Sequence, residues 1–79
     1  MPYFHLNLFN GQGASPDDEG QDFADLPAAR AEAIRGIRSL LASEVGKGSM
    51  DLGGRIEIAS PAGKVLQTIK FAEALEIRR

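Results

Sequence analysis

The chain has 79 residues, no cysteine, a formal net charge of −2 and a predicted pI near 5.2. A chain this short forms one domain, and it can contain neither disulfides nor thiolate-bound metal. The acidic balance argues against a nucleic-acid binder, and because there is no basic-then-apolar N-terminus and no apolar run of roughly 20 residues, we expect a cytoplasmic protein without membrane segments.

Residues 3–9 predict the first strand, because their side chains alternate between two faces. The faces differ in character: one is apolar and should meet the core, with Phe4, Leu6 and Leu8, and the other is mixed, with Tyr3, His5, Asn7 and Phe9. Asn10-Gly11 is a turn signal, and residues 13–20 predict a polar loop. A short second strand over residues 20–24 is expected to pair with the first, with Phe23 as its core contact.

Residues 26–45 predict an amphipathic helix. Asp25 suits the N-cap and Pro27 the first turn, and Gly46 or Gly48 ends the pattern. The apolar stripe recurs every three to four residues through Leu26, Ala29, Ala33, Ile37, Leu41 and Val45. Gly36 interrupts the helix at a cost of about 1 kcal/mol relative to alanine, which predicts a close approach to a sheet at that point.

The C-terminal third predicts a hairpin followed by one helical turn. Residues 55–60 alternate as a strand, residues 60–63 form the turn, and residues 64–71 return as the partner strand. The apolar residues of the last strand do not share one face, which a bulge would reconcile. Residues 71–75 are expected to close the domain as a helical turn.

Together these elements predict an α+β domain of β-β-α-β-β order, with a mainly antiparallel sheet and one amphipathic helix on one face. The expected core consists of Phe4, Leu6, Leu8, Phe23, Leu26, Ala33, Ile37, Leu41, Ile56, Ile58 and Ile69. A single helix covers one face of such a sheet, so the other face stays open. The candidate interaction surface on that face comprises Tyr3, His5, Asn7, Phe9, Arg55 and Glu57.

No residue pattern in the chain indicates catalysis or metal binding. His5 is the only histidine, and no nucleophile or orienting carboxylate stands at motif spacing from it. The acidic run 17–19 lacks the layout of an EF-hand loop and predicts a solvated loop tip. Three helix arginines, Arg30, Arg35 and Arg38, predict a solvated face, with Glu32 pairing Arg35. We therefore expect no cofactor, no metal and no enzymatic activity.

The chain resembles a family of short bacterial proteins known as domain of unknown function 6894. The resemblance runs through Tyr3-Phe4-His5-Leu6, Asn10-Gly11, Asp17-Asp18-Glu19-Gly20, Asp25-Leu26, residues 28–33, Arg55-Ile56-Glu57-Ile58, Gly63 and Thr68-Ile69-Lys70-Phe71. It implies a stand-alone α+β module and supplies no catalytic residues. Asp25-Leu26-Pro27 also resembles a segment of HicB-type antitoxins, although this chain shows no DNA-binding arm.

Three functional hypotheses follow from these patterns. The first is a non-enzymatic interaction module that forms a homodimer or small homo-oligomer through the open sheet face or edge. The second is an antitoxin-type regulator that binds a protein toxin or RNA. The third, a small hydrolase or ligand-binding enzyme centred on His5, requires a pocket beside that residue and would be abandoned if His5 lay on a flat surface without a nearby carboxylate.

Overall fold

A five-stranded antiparallel sheet with one long helix makes up the fold, which is therefore α+β as predicted. The computed structural model describes residues 2–11 and 13–75. The elements in chain order are β1 (Tyr3–Asn10), β2 (Gly13–Ser15), β3 (Gln21–Asp22), α1 (Leu26–Gly46), β4 (Arg55–Ala59), β5 (Val65–Lys70) and a short 3₁₀ helix (Phe71–Ala74).

β1 is the central strand of the sheet. It pairs with β4 along one edge, with His5 opposite Ala59 and Phe9 opposite Arg55, and β4 pairs in turn with β5. The other edge of β1 is shared by β2, which pairs with the C-terminal half, and β3, which pairs with the N-terminal end. This topology brings the N-terminal strand and the hairpin of β4 and β5 into one sheet.

The predicted order of elements needs one correction, because the loop expected over residues 13–20 begins with strand β2. The chain turns back directly after Asn10, so Asn10 lies opposite Gly13 and Leu8 opposite Ser15. Pairing stops at the next residue, Pro16, since proline has no backbone N–H to donate. The strand expected over residues 20–24 is limited to Gln21–Asp22.

The long helix α1 has the boundaries and the N-cap that the sequence predicts. The Asp25 carboxylate accepts a hydrogen bond from the Ala28 amide at 2.9 Å, and Pro27 stands in the first turn, where a missing N–H is harmless. At the C-terminus Lys47 is the cap residue and Gly48 adopts a positive φ of 97°. Gly48 thus ends the helix through a backbone conformation that favours glycine.

The core lies between the helix stripe and one face of the sheet. Seven of the predicted core residues are buried: Phe4, Ala33, Ile37, Leu41, Ile56, Ile58 and Ile69. The other four, Leu6, Leu8, Phe23 and Leu26, are partly buried against this cluster. The prediction omitted three buried members, Ala29, Phe71 and Ala74. Phe71 enters the core because the 3₁₀ helix folds back against α1.

One expectation for the helix was wrong, and the buried stripe ends before the last helical turn. Gly36 is exposed, and a Cβ atom added there would meet nothing within 4 Å, so no close approach to the sheet explains this glycine. Val45 continues the apolar stripe in sequence but remains 57% exposed. The buried stripe residues end with Leu41, and the last turn of the helix carries none.

The hairpin of β4 and β5 contains the expected irregularity. Ile58 lies opposite Gln67 and Ala59 opposite Val65, so one residue, Leu66, is inserted as a bulge. The bulge leaves Ile69 in the core and Val65 and Leu66 largely exposed.

Candidate functional site

The six residues of the predicted interaction surface lie on the face of the sheet opposite to α1, which we call the open face. The register places Asn7 opposite Glu57 and Phe9 opposite Arg55. Their sequence neighbours, such as Ile56 and Ile58, are buried beneath the helix. Because side chains alternate along a strand, Tyr3, His5, Asn7, Phe9, Arg55 and Glu57 share the other side.

At one end of the open face, the Arg55 guanidinium contacts both the Glu57 carboxylate and the Phe9 ring. Arg55 Nε donates to Glu57 Oε2 at 3.1 Å, and the Arg55 guanidinium carbon lies 4.4 Å from the centroid of the Phe9 ring. The Arg55 side chain is still 45% exposed. It therefore remains accessible from solvent while being held in a defined position.

The other end of the open face is organised by Asp17, which the sequence predicts to lie in a solvated loop tip. Its carboxylate accepts from the Leu6 amide at 3.2 Å and from the Gly20 amide at 3.0 Å, and its own amide donates to Asn7 Oδ1 at 2.8 Å. Asp17 therefore provides a hydrogen-bond acceptor to the backbone of β1 in the gap between β2 and β3, where neither strand pairs with β1.

His5 is held by the same loop. Its Nδ1 lies 2.5 Å from the Asp17 carbonyl oxygen. A carbonyl oxygen only accepts hydrogen bonds, so Nδ1 carries a proton, and in the neutral form of the ring Nε2 is the acceptor. Among the described residues, Nε2 makes no hydrogen bond. The ring also meets Tyr3 edge to face, with the centroids 5.6 Å apart.

Gly20 allows the loop to pass close to these two rings. Its φ is 71°, and an added Cβ atom would lie 2.5 Å from Tyr3 Cε1 and 3.1 Å from His5 Cε1. A side chain at this position would therefore strain the backbone and collide with Tyr3. The contact between Gly20 and Tyr3 fixes the aromatic end of the open face.

A groove of about 350 Å³ opens beside His5, between the loop and the turn that joins β4 to β5. We call it the His5 groove. Asp18 and Glu57 contribute carboxylates, Pro16, Pro61 and Val65 contribute apolar walls, and the buried Ala59 lies at its base, opposite His5 in the sheet. The groove thus offers negative charge and a hydrogen-bond acceptor between apolar walls.

A second and larger groove, of about 430 Å³, lies at the C-terminal end of α1, away from the open face. Its acidic groups are already used within the chain. Asp51 accepts from the Gly53 amide at 2.8 Å and from the Gly11 amide at 3.4 Å, and Glu44 accepts from the Asp51 amide at 3.0 Å. These bonds hold the loop between α1 and β4, so we assign this groove a structural role.

The three helix arginines are less uniform than predicted. Arg30 is half-buried and its guanidinium donates to Gln67 Oε1 at 3.4 Å, which ties α1 to β5; Arg38 Nε donates to the Ala74 carbonyl at 2.7 Å, which ties α1 to the 3₁₀ helix. The predicted pair of Arg35 and Glu32 is present. Hydrogen bonding to Arg35 lowers the pKa of the Glu32 carboxyl and raises the pKa of the guanidinium.

In the described ranges, no three histidine, aspartate or glutamate side chains are grouped so that they could hold a metal ion. Within the same ranges, no helix is long and apolar enough to span a bilayer.

Comparison with known proteins defines the family. Residues 3–72 match the family model of the domain of unknown function DUF6894. The chain therefore belongs to this family, as its sequence pattern indicated. Searches for similar curated proteins and for similar solved structures returned no match.

Proposed function

We propose that this chain is a non-enzymatic interaction module that self-associates through the open face of its sheet. The observation that carries the proposal is the composition of that face. On this face Tyr3 is 37% exposed, the Arg55 side chain is 45% exposed and Phe9 is half-buried. Aromatic residues and arginine are enriched at protein interfaces relative to the remaining surface.

The size of the chain supports the same proposal. A domain of about 60–80 residues buries a smaller fraction of its unfolded surface than a larger domain, so its stability is marginal. Cysteine is absent and no disulfide can add to it. Two copies that stack their open faces would form a sandwich of two sheets, a stable arrangement for sheets with one uncovered face.

The edge of the sheet is the other route to self-association. β5 is the outermost strand, and Val65 and Leu66 on it are 46% and 39% exposed. Exposed apolar edge strands are templates for pairing with another chain. We favour the face over the edge because the face presents aromatic and charged groups together. The variants Thr68→Arg and Leu66→Lys distinguish the two routes.

Thr68→Arg tests the face directly. Thr68 is exposed on the edge strand β5 and lies opposite Glu57, halfway along the open face, so an arginine there blocks stacking without touching the core. We expect the wild-type chain to be a dimer by size-exclusion chromatography with light scattering at high micromolar concentration, and Thr68→Arg to be a monomer.

Ser39→Arg is the matched control, since it adds the same side chain at an exposed position of α1. It should leave the dimer intact. Dissociation by Leu66→Lys but not by Thr68→Arg would move the interface to the β5 edge. A wild-type chain that stays monomeric at high micromolar concentration would refute self-association.

An enzyme centred on His5 remains the alternative with a structural basis, because His5 lies beside a groove and near carboxylates rather than on a flat surface. The hydrogen bonds of His5 within the described residues nevertheless include none to a hydroxyl group. General-base catalysis on a protein nucleophile needs that contact. We therefore keep the non-enzymatic interpretation.

The tripeptide that suggested the antitoxin-type alternative has a structural explanation. Asp25 caps α1 and Pro27 occupies the first helical turn, so Asp25-Leu26-Pro27 is accounted for by helix initiation alone. A reading frame for a small basic toxin beside the gene would favour that alternative. Cytoplasmic residence and the absence of a nucleic-acid partner stay predictions from the sequence.

A further inference from the structure

We propose that in the self-associated form Arg55 of each copy enters the His5 groove of the other. This inference rests on the proposed self-association through the open face and specifies its geometry. It follows from the way in which charge and aromatic rings are distributed along the strands.

The open face has two unlike ends. At one end, Phe9, Arg55 and Lys70 lie side by side on β1, β4 and β5. At the other end, His5, Ala59 and Val65 lie side by side, with the acidic groove above them. His5 and Phe9 are four residue steps apart on β1, about 13 Å at the rise of a strand.

Charge selects one way of stacking two such faces. Dimers of identical chains are most often two-fold symmetric, with the same patch used on both copies. A two-fold axis parallel to the strands would place Arg55 beside the partner's Arg55, which is repulsive. An axis that crosses the strands through the middle row, at Asn7, Glu57 and Thr68, reverses the strand direction. It brings the basic end of each copy over the acidic end of the other.

The same operation brings together groups that fit each other chemically. Arg55 of one copy comes over Ala59, at the base of the partner's groove, where the Asp18 carboxylate and the His5 acceptor nitrogen are available. Phe9 comes over the pair of Tyr3 and His5 rings. Arginine suits such a groove, because its planar fork binds carboxylates and its stem packs on apolar walls.

Charge reversal in a mixed dimer tests the contact between copies. Arg55→Glu alone places glutamate against Asp18 at both contacts of the dimer, and Asp18→Arg alone places arginine against Arg55 at both. We expect each variant to dimerise about tenfold more weakly than the wild type or worse. In an equimolar mixture, both contacts of the heterodimer are complementary again, so the dissociation constant should return to within about threefold of the wild-type value.

The recovery on mixing is a gain of association, which a poorly folded variant cannot produce. Arg55→Gln provides a milder version of the first change and should weaken the dimer less than Arg55→Glu. Glu19→Arg and Lys47→Glu are the matched controls. They make the same changes of charge at exposed positions outside the groove and the open face, and they should associate like the wild type, alone and mixed.

The outcomes separate this inference from the proposal on which it rests. If the wild type dimerises, Thr68→Arg dissociates it and the mixture shows no recovery, then the open face is the interface but Arg55 does not enter the groove. Unchanged dimerisation of Arg55→Glu would overturn the inference in the same way. A monomeric wild type would overturn both.

Discussion

Asp17 shows how one side chain can replace a missing strand. The outer edge of β1 is paired at both ends and unpaired in the middle, because Pro16 stops β2 and the chain rejoins the sheet only at Gln21. Buried or half-buried backbone N–H groups need a partner. The Asp17 carboxylate provides one to Leu6, and its backbone positions Asn7 and His5 at the same time.

Removal of the Asp17 carboxylate should therefore destabilise the fold. Asp17→Ala leaves the amides of Leu6 and Gly20 without their acceptor, and we expect a loss of about 1–3 kcal/mol in the free energy of unfolding. Urea denaturation measures this loss. Asp18→Ala is the control when both variants are measured at a protein concentration low enough to keep the chain monomeric: Asp18 is exposed, and its removal should then change stability by less than about 0.5 kcal/mol. Equal effects of the two changes would show that Asp17 has no special role.

The sequence could not distinguish these two neighbours. Asp17 and Asp18 have the same side chain and stand next to each other in a polar loop. Only the path of the loop across the sheet edge brings the Asp17 carboxylate to the amides of Leu6 and Gly20. That path is set by contacts between residues 10 or more positions apart, which local patterns do not encode.

At the scale of elements, α1 illustrates both the strength and the limit of periodicity. Its boundaries were predicted within one residue, because the N-cap, the proline and the terminal glycine are local signals. Val45 keeps the spacing of the stripe but is exposed, since the stripe continues in sequence after the last turn that contributes to the core. Periodicity shows which side of a helix is apolar and does not show how far its partner extends.

Gly36 gives a testable consequence at this scale. It lies in the interior of α1, is exposed and has open space around its Cα. Gly36→Ala should therefore raise the free energy of unfolding by about 0.5–1 kcal/mol, the difference in helix propensity between the two residues. The reverse change at the exposed Ala31 should lower stability by a similar amount. A destabilising Gly36→Ala would mean that the helix needs this glycine for a contact not formed within one copy.

The strand elements were predicted less well where they were short. β1, β4 and β5 follow from alternation, whereas β2 has the sequence Gly-Ala-Ser, which carries no strand signal. It forms because the turn after Asn10 places it beside β1. The bulge near Ala59 was anticipated because no straight strand could place the apolar residues of β5 on one face.

At the scale of the whole molecule, one layer of helix covers one layer of sheet. Half of the sheet surface is therefore not used for the core of a single copy. The groups on that surface are ordered within the chain by the Arg55–Glu57 pair and by the loop around Asp17. Ordered side chains lose little conformational freedom when a partner binds, which favours association.

Self-association through this surface predicts that stability depends on concentration. Dimer formation stabilises the folded state by mass action, so a hundredfold increase in protein concentration should raise the midpoint of thermal unfolding by on the order of 5 °C for a domain of this size. Circular dichroism or scanning calorimetry at several concentrations measures this shift. Thr68→Arg should show a midpoint independent of concentration, and a constant wild-type midpoint would contradict the dimer.

The sequence by itself determined the α+β class, the bounds and cap of the helix, the hairpin with its bulge and the residues of the open face. Each of these follows from local propensity or from the period of the side chains. Only the tertiary structure decided that Asp17 completes the edge of β1, that Phe71 enters the core, and that a groove forms beside His5. These features arise where segments distant in sequence meet, and their geometry depends on how the whole chain closes on itself.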